Sequence, residues 1–321
     1  MMRAARVAGI LTAALVGLGA PARGMPVPGA PDCPMFPRNS YWHADVRGLQ
    51  KHSRSDAWIR SMGRSRRLHP DFGPSGDPSE PYGIPFNVED HTQPKVSIEF
   101  HYAAESDPGP YPIDDESWVE NGSDRHVLVV QSDECRLYEV FDFRWNGGEP
   151  TAGSGAVWHL RSNDLRPRTW TSADAAGLPI LPGLIRRDEV ETGVIDHAIR
   201  VTTERTDRRF LWPARHQAGA ADNRNLPPMG AWFRLKGGFR IRGYAAETRV
   251  ILRAMKIHGL IVADNGGSWF FGGAANDGND WTDRVLDELK SIPARAFVAV
   301  DARRMMVSPG SGRVKPRYFG I

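Results

Sequence analysis

Proline and glycine set the first constraint on this chain. There are 25 prolines and 33 glycines in 321 residues, about 18% of the chain where average usage is roughly 12%. Such punctuation gives short elements joined by many turns. The 40% hydrophobic and 25% charged content nevertheless excludes a disordered chain. The length allows one large domain or two small ones, with enough core that folding requires neither metal nor disulfide.

Between the breaks, strand-like patterns dominate. Val96, Ile98, Phe100 and Tyr102 alternate on one face of 95–102. The apolar runs 126–130 and 137–143 predict a hairpin, and 156–160, 195–203, 209–212, 232–235 and 297–300 predict further strands. Helices are predicted over 55–62, over 244–258 with Gly259 as the stop, and over 281–290. The segments 260–263 and 269–271 flank Asp264-Asn265-Gly266-Gly267, a turn signal. These patterns predict a mainly β domain with a few short helices, α+β in class. They suggest an antiparallel sandwich or barrel with long functional loops over 33–301.

The N-terminus predicts export. Arg3 and Arg6 precede an apolar run from Val7 to Leu18, and Ala20-Pro21-Ala22 offers small residues for cleavage. This is the order of a secretory signal over 1–22, followed by a Pro-rich extended tail over 23–32. The apolar run is too short for a membrane anchor, so no span is expected in the mature chain. Cys33 and Cys135, the two cysteines, are expected to be bonded in an oxidising compartment. Residues 302–321 carry Arg303, Arg304, Arg313, Lys315 and Arg317, no acid and no apolar period. They predict a basic, disordered and dispensable tail. Without those five residues and Arg3 and Arg6, 34 basic residues face 38 acidic ones. The body therefore gives no reason to expect a nucleic-acid partner.

No Walker loop, dinucleotide fingerprint, zincin helix or nucleophile elbow occurs in the sequence. No cofactor and no metal site is expected. Asp277, Asp280 and Asp283 lack calcium-loop spacing. What remains are charged groups in apolar or turn settings. His126, Asp174, Asp188, Arg215 and His216 are the candidate catalytic residues. Paired carboxylates serve glycosidic cleavage, one giving a proton and one activating water or attacking. A histidine beside a cation would serve a lyase, and Arg215 with His216 fits that demand. Asp174 also fits a simple turn-capping role, and Asp264-Asn265 a plain turn. Trp118, Trp145 and Trp170, with Asp264 and Asn265, are candidate saccharide contacts, since loop aromatics offer flat platforms. On this reading the loops 107–125, 170–189 and 212–230 converge, and Asp174→Ala or Asp188→Ala removes turnover at little cost in stability.

The strings WTSADAAGLPILPGL (170–184), DEV (188–190), WPARH (212–216), LPPMG (226–230) and ADNGGSWFFGG (263–273) resemble a family of secreted proteins of unassigned function. The opening FPRNSYWHADVRGLQKHSRSDAWIRSMG and the strings DPGPYP and DRHVLVV are similar too. The resemblance covers about 33–301. Some members are joined to carbohydrate-binding or discoidin-like modules, which implies a glycan context without any catalytic assignment. The expectation is a monomeric secreted protein acting on extracellular polysaccharide by carboxylate acid/base chemistry. A non-catalytic glycan- or surface-binding protein and a lyase using His and Arg are the alternatives.

Overall fold

A computed structural model describes residues 24–276 and 280–320. The signal segment 1–22 and Asp277 lie outside the described residues. The strands, in chain order, are β1 (His69–Asp71), β2 (Phe86–Glu89), β3 (Glu99–Phe100), β4 (Val127–Gln131), β5 (Arg136–Phe141) and β6 (Thr151–Ala152). Then come β7 (Ser154–His159), β8 (Ile199–Thr203), β9 (Trp232–Leu235), β10 (Leu260–Asn265), β11 (Phe270–Gly272) and β12 (Phe297–Val300). Among the described residues four short helices accompany them: α1 (Ser55–Ser61), α2 (Arg187–Thr192), α3 (Ala246–Ile257) and α4 (Asp283–Lys290). The chain is α+β, as its pattern predicts.

Six strands form one sheet in the order β1-β11-β8-β10-β9-β12, four form another in the order β2-β4-β5-β7, and β3 pairs with β6. The sheets are mixed rather than antiparallel. β1 with β11, β8 with β10, β2 with β4 and β3 with β6 run parallel. The long connections between these strands, such as the α3-bearing one from β8 to β10, permit parallel neighbours that a tight hairpin cannot. Among the described residues no sheet closes on itself as a barrel. The predicted hairpin forms as β4 and β5, with Val127 opposite Val140. The strands flanking the 264–267 turn do not pair with each other, because β8 lies between them. Segment 209–212 is a loop with a single bridge, Phe210 to Met229.

α3 shows how the local pattern becomes packing. Thr248, Ile251, Leu252 and Met255 are its buried stripe, and Gly259 at φ 80° follows the helix. The main core runs from Val27 to Val314, and a smaller cluster gathers Ile98, Tyr111, Tyr138 and Phe143. Cys33 and Cys135 are disulfide-bonded, their Cα atoms 5.0 Å apart.

Both expected tails belong to the body. Val27 and Ala30 are buried, so 24–32 is packed rather than loose. In the C-terminal segment Met305 and Val314 are fully buried. Its backbone pairs with 39–45: Tyr41 N–H donates to Gly312 O (2.8 Å), Val314 N–H to Asn39 O (2.9 Å) and Asp45 N–H to Tyr318 O (2.8 Å). The reading of 302–321 as disordered is thus corrected for residues 302–320. Irregular chain held by backbone hydrogen bonds leaves no periodic signal, and its basic side chains face solvent while Met305 and Val314 turn inward.

Candidate functional site: a carboxylate groove at the ends of two parallel strands

β8 and β10 run side by side, Leu260 opposite Ile199 and Asn265 opposite Thr203. Their carboxyl ends open at the same edge, the place where open parallel sheets hold ligands. The register shifts between Val262 and Asp264, leaving Ala263 as the extra residue. Such a bulge re-aims the side chains that follow. The turn beyond is tied down by Thr202 Oγ1, which donates to Gly267 O at 2.7 Å.

Two hollows meet at this edge. One, of about 230 Å³, is lined among others by Asp71, Glu120, His126 and Arg200. The other, of about 440 Å³, is lined among others by Glu105, Ser172, His216 and Gln217. Asp124, Asp264 and Asn265 line both. Exposed tyrosines stand on either side, Tyr82 (60% exposed) on the first hollow and Tyr102 (50%) on the second.

Beneath the groove lies Asp174, fully buried. Its carboxylate takes Arg200 on both oxygens, with Nε at 2.9 Å from Oδ2 and Nη2 on Oδ1. The loop that aims it is locked locally. Ser172 Oγ accepts the Asp174 N–H (3.0 Å) and lies 2.6 Å from Leu178 O. Gly177 closes the turn at φ 66°, where an added Cβ would sit 2.4 Å from Trp170 O. Asp174 therefore neither caps a helix nor reaches substrate. It neutralises an arginine that lines the groove.

The same arrangement sets the charge state of Asp264. Burial pushes its carboxyl up, and the neighbouring Asp174 carboxylate pushes it further, against the pull of Arg200. The result lies well above the usual carboxylate range. Glu120 is shifted the other way. Burial raises it, but the hydrogen bond and charge of His126 more than offset that and hold it below its ordinary value. His126 Nδ1 is 2.5 Å from Glu120 Oε2, and Nε2 is 3.2 Å from Ala173 O. For His126, burial acts downward and the Glu120 hydrogen bond and charge prevail, so its pKa is raised. Arg125, in left-handed backbone at φ 46°, precedes this histidine and anchors through Nε to Phe143 O (2.9 Å).

Of the sequence-predicted residues, His126, His216, Asp264 and Asn265 line the groove and Asp174 lies beneath it. His216 Nδ1 is 2.8 Å from Ala175 O, which joins loop 170–189 to loop 212–230. The others fall elsewhere. Asp188 sits on α2 and pairs with Arg186, whose guanidinium also binds the carbonyls of Met25 and Pro26. Arg215 is spent on backbone, donating to Arg166 O and Pro309 O, both at 2.8 Å. Trp118 donates its N–H to Asn87 Oδ1, Trp145 packs beside Phe143, and Trp170 stacks under Arg166. None of these three tryptophans lines either hollow. The aromatic walls are Tyr82, Phe270, Tyr102 and Phe141 instead.

Glu120 and Arg200 were missed by sequence reasoning. Arg200 did leave a signal, a cation inside an apolar strand that must find a buried partner. Glu120 left none, since a lone loop acid has no period. His197 is buried, its Nε2 3.1 Å from Glu189 Oε2 and its Nδ1 2.9 Å from Ala198 O. Among the described residues no group of three or more His, Cys, Asp or Glu is placed to hold a metal ion.

Glu139 of β5 braces the groove loop from below. It is fully buried and accepts the N–H groups of Ile180 (2.8 Å) and Leu181 (2.9 Å) and the Trp158 indole (3.1 Å). Burial drives its pKa up and the two backbone donors pull back, leaving it raised from 4.5 to about 7. A carboxyl raised on folding stabilises most below its unfolded value, and that contribution is lost as pH rises through about 7. Between about pH 5 and pH 8 the wild type should lose about 3 kcal/mol relative to Glu139→Gln. Urea midpoints across pH test this, and parallel curves for the two proteins would refute it.

No family model, no curated protein and no solved structure compared with this chain matches it.

Proposed function

We propose that the groove cleaves glycosidic bonds of an extracellular polysaccharide, with Asp264 as the proton donor and Glu120 as the ionised carboxylate. The observation that carries this reading is that one hollow holds two carboxyls pushed in opposite directions, Asp264 up and Glu120 down. Separated protonation states are what acid/base cleavage requires of a carboxylate pair. Asp264 sits where both hollows meet, so a chain lying through them would present an internal linkage to it. Tyr82 and Tyr102 then offer platforms to sugar rings on either side. The predicted signal segment and the Cys33–Cys135 bond support an exported protein.

The test is a screen of purified protein against a panel of polysaccharides, reading reducing ends and unsaturated products. Against the substrate found, Asp264→Asn should lower turnover about a hundredfold or more while leaving the fold intact. The pH profile should fall on the alkaline side only well above the usual carboxylate range, as Asp264 loses its proton. Its acid limb, set by Glu120, should lie below that range. Saturable glycan binding without new reducing ends would establish the non-catalytic alternative instead. Unsaturated products would point to elimination, with His126 rather than Arg215 beside the substrate.

A further inference from the structure

Away from the groove, a second cavity of about 340 Å³ is bounded by α1, the 207–228 loop and the 301–304 turn. None of its lining residues lines either hollow of the groove. We propose that this cavity, walled by His52, Arg54, Trp58, Arg209, Arg224 and Arg303, is an oxyanion-binding site that takes a phosphate or sulfate group.

The argument rests on which polar groups remain uncommitted. Asp207, the one carboxylate in the lining, is buried and already holds Arg209 through the backbone N–H (2.9 Å) and Nη2 (2.8 Å). The other edge of Arg209 goes to Asp222 (2.7 Å). Arg303 binds Asp301 through Nε (2.8 Å) and Nη2 (3.0 Å), and Nη1 has no partner among the described residues. Arg54 and Arg224 form no ion pair among the described residues. Arg54 spends only Nη1, on the carbonyl of Arg224 (3.4 Å). That carbonyl also accepts the Trp58 indole N–H (3.1 Å), so the backbone carrying Arg224 is fixed against the wall. His52 accepts the Arg54 N–H at Nδ1 (3.1 Å), which places its own proton on Nε2. Burial, with Arg303 and Arg54 nearby, outweighs Asp301 and lowers its pKa, so it stays a neutral donor.

Every uncommitted polar nitrogen of these walls is thus a donor, and the guanidinium charge exceeds that of the acids pairing with it. Ser53, also in the lining, brings a hydroxyl that can donate too, and a cavity whose charged groups are mostly guanidinium donors selects an anion. Planar guanidinium forks suit the oxygens of a phosphate or sulfate. His52 stacks on Trp58 with ring centroids 4.2 Å apart, and Leu211, Leu226 and Pro228 complete an apolar side. That side would hold the body of a molecule whose anionic group meets the arginines.

Calorimetric titration of the full protein in phosphate- and sulfate-free buffer tests the proposal, with inorganic phosphate and a hexose monophosphate as probes. Saturable binding that weakens with added salt is expected. Arg224→Ala, an exposed position, should weaken it at least about tenfold. Arg208→Ala, whose guanidinium pairs with Asp222 outside the cavity, should not. A tighter hexose monophosphate would assign the site to an ester on a larger molecule, and equal affinities to the free oxyanion. Absence of saturation, or affinities unchanged in both Arg224→Ala and Arg54→Ala, would overturn it. Because the assay reads binding alone, its result is independent of whether the groove cleaves glycans.

Discussion

Truncation after Asp301 is expected to leave a chain largely unfolded at 25 °C. The segment it removes completes the main core with Met305 and Val314, both fully buried. Side chains of that size are each worth about 1.5–3 kcal/mol when buried. The segment also covers Tyr41, Trp42 and Ala44, buried residues of the stretch it pairs with. Four backbone hydrogen bonds between 312–320 and 39–45 would be lost, each worth about 1 kcal/mol net. The total exceeds about 5 kcal/mol, comparable to the whole stability of many domains. Far-UV circular dichroism and a thermal melt of the truncated chain decide the matter. A melting temperature within a couple of degrees of the full chain would show that the segment is an ornament on a self-sufficient body.

Asp174→Ala is expected to destabilise the fold by about 4 kcal/mol, because it strands a buried guanidinium. This reverses the expectation from sequence that the substitution costs turnover and little stability. A charge-compensating carboxylate at 0% exposure cannot be removed without leaving Arg200 unpaired inside the protein. The double variant Asp174→Ala/Arg200→Met should recover a large part of the loss, since replacing a buried pair by apolar groups is often neutral. Denaturant midpoints of the three proteins measure both effects, and a single-variant cost below about 1 kcal/mol would contradict the pairing. Asp188→Ala serves as the contrast. Asp188 lies outside the groove, so turnover on any substrate found should persist.

Much of the secondary structure was legible before any fold was known. The helices at 55–61, 246–257 and 283–290, the β4–β5 hairpin and strands β7, β9 and β12 follow from spacing within a few residues. Such elements answer to local rules, namely which side chains share a face and where glycine or proline stops the run. The half of the candidate site on the sequence's own list, His126, His216, Asp264 and Asn265, was visible because each polar group interrupts an apolar or turn setting. Its partners Glu120 and Arg200 were not singled out, since their significance comes only from what faces them.

What the amino-acid order determined by itself is therefore the α+β class, the main elements and the Cys33–Cys135 pair, all expressed in local pattern or in simple count. Only the tertiary structure decided that β8 inserts between β10 and β11, and with it that Arg200 meets Asp174 from 26 residues away. It also decided that 302–320 packs on the body, with Met305 and Val314 in the core. The reason is physical. A buried charge is tolerated only beside its counter-charge, and an irregular segment is ordered only by the surface it covers. Both conditions involve residues far apart in sequence, where no periodicity can record them.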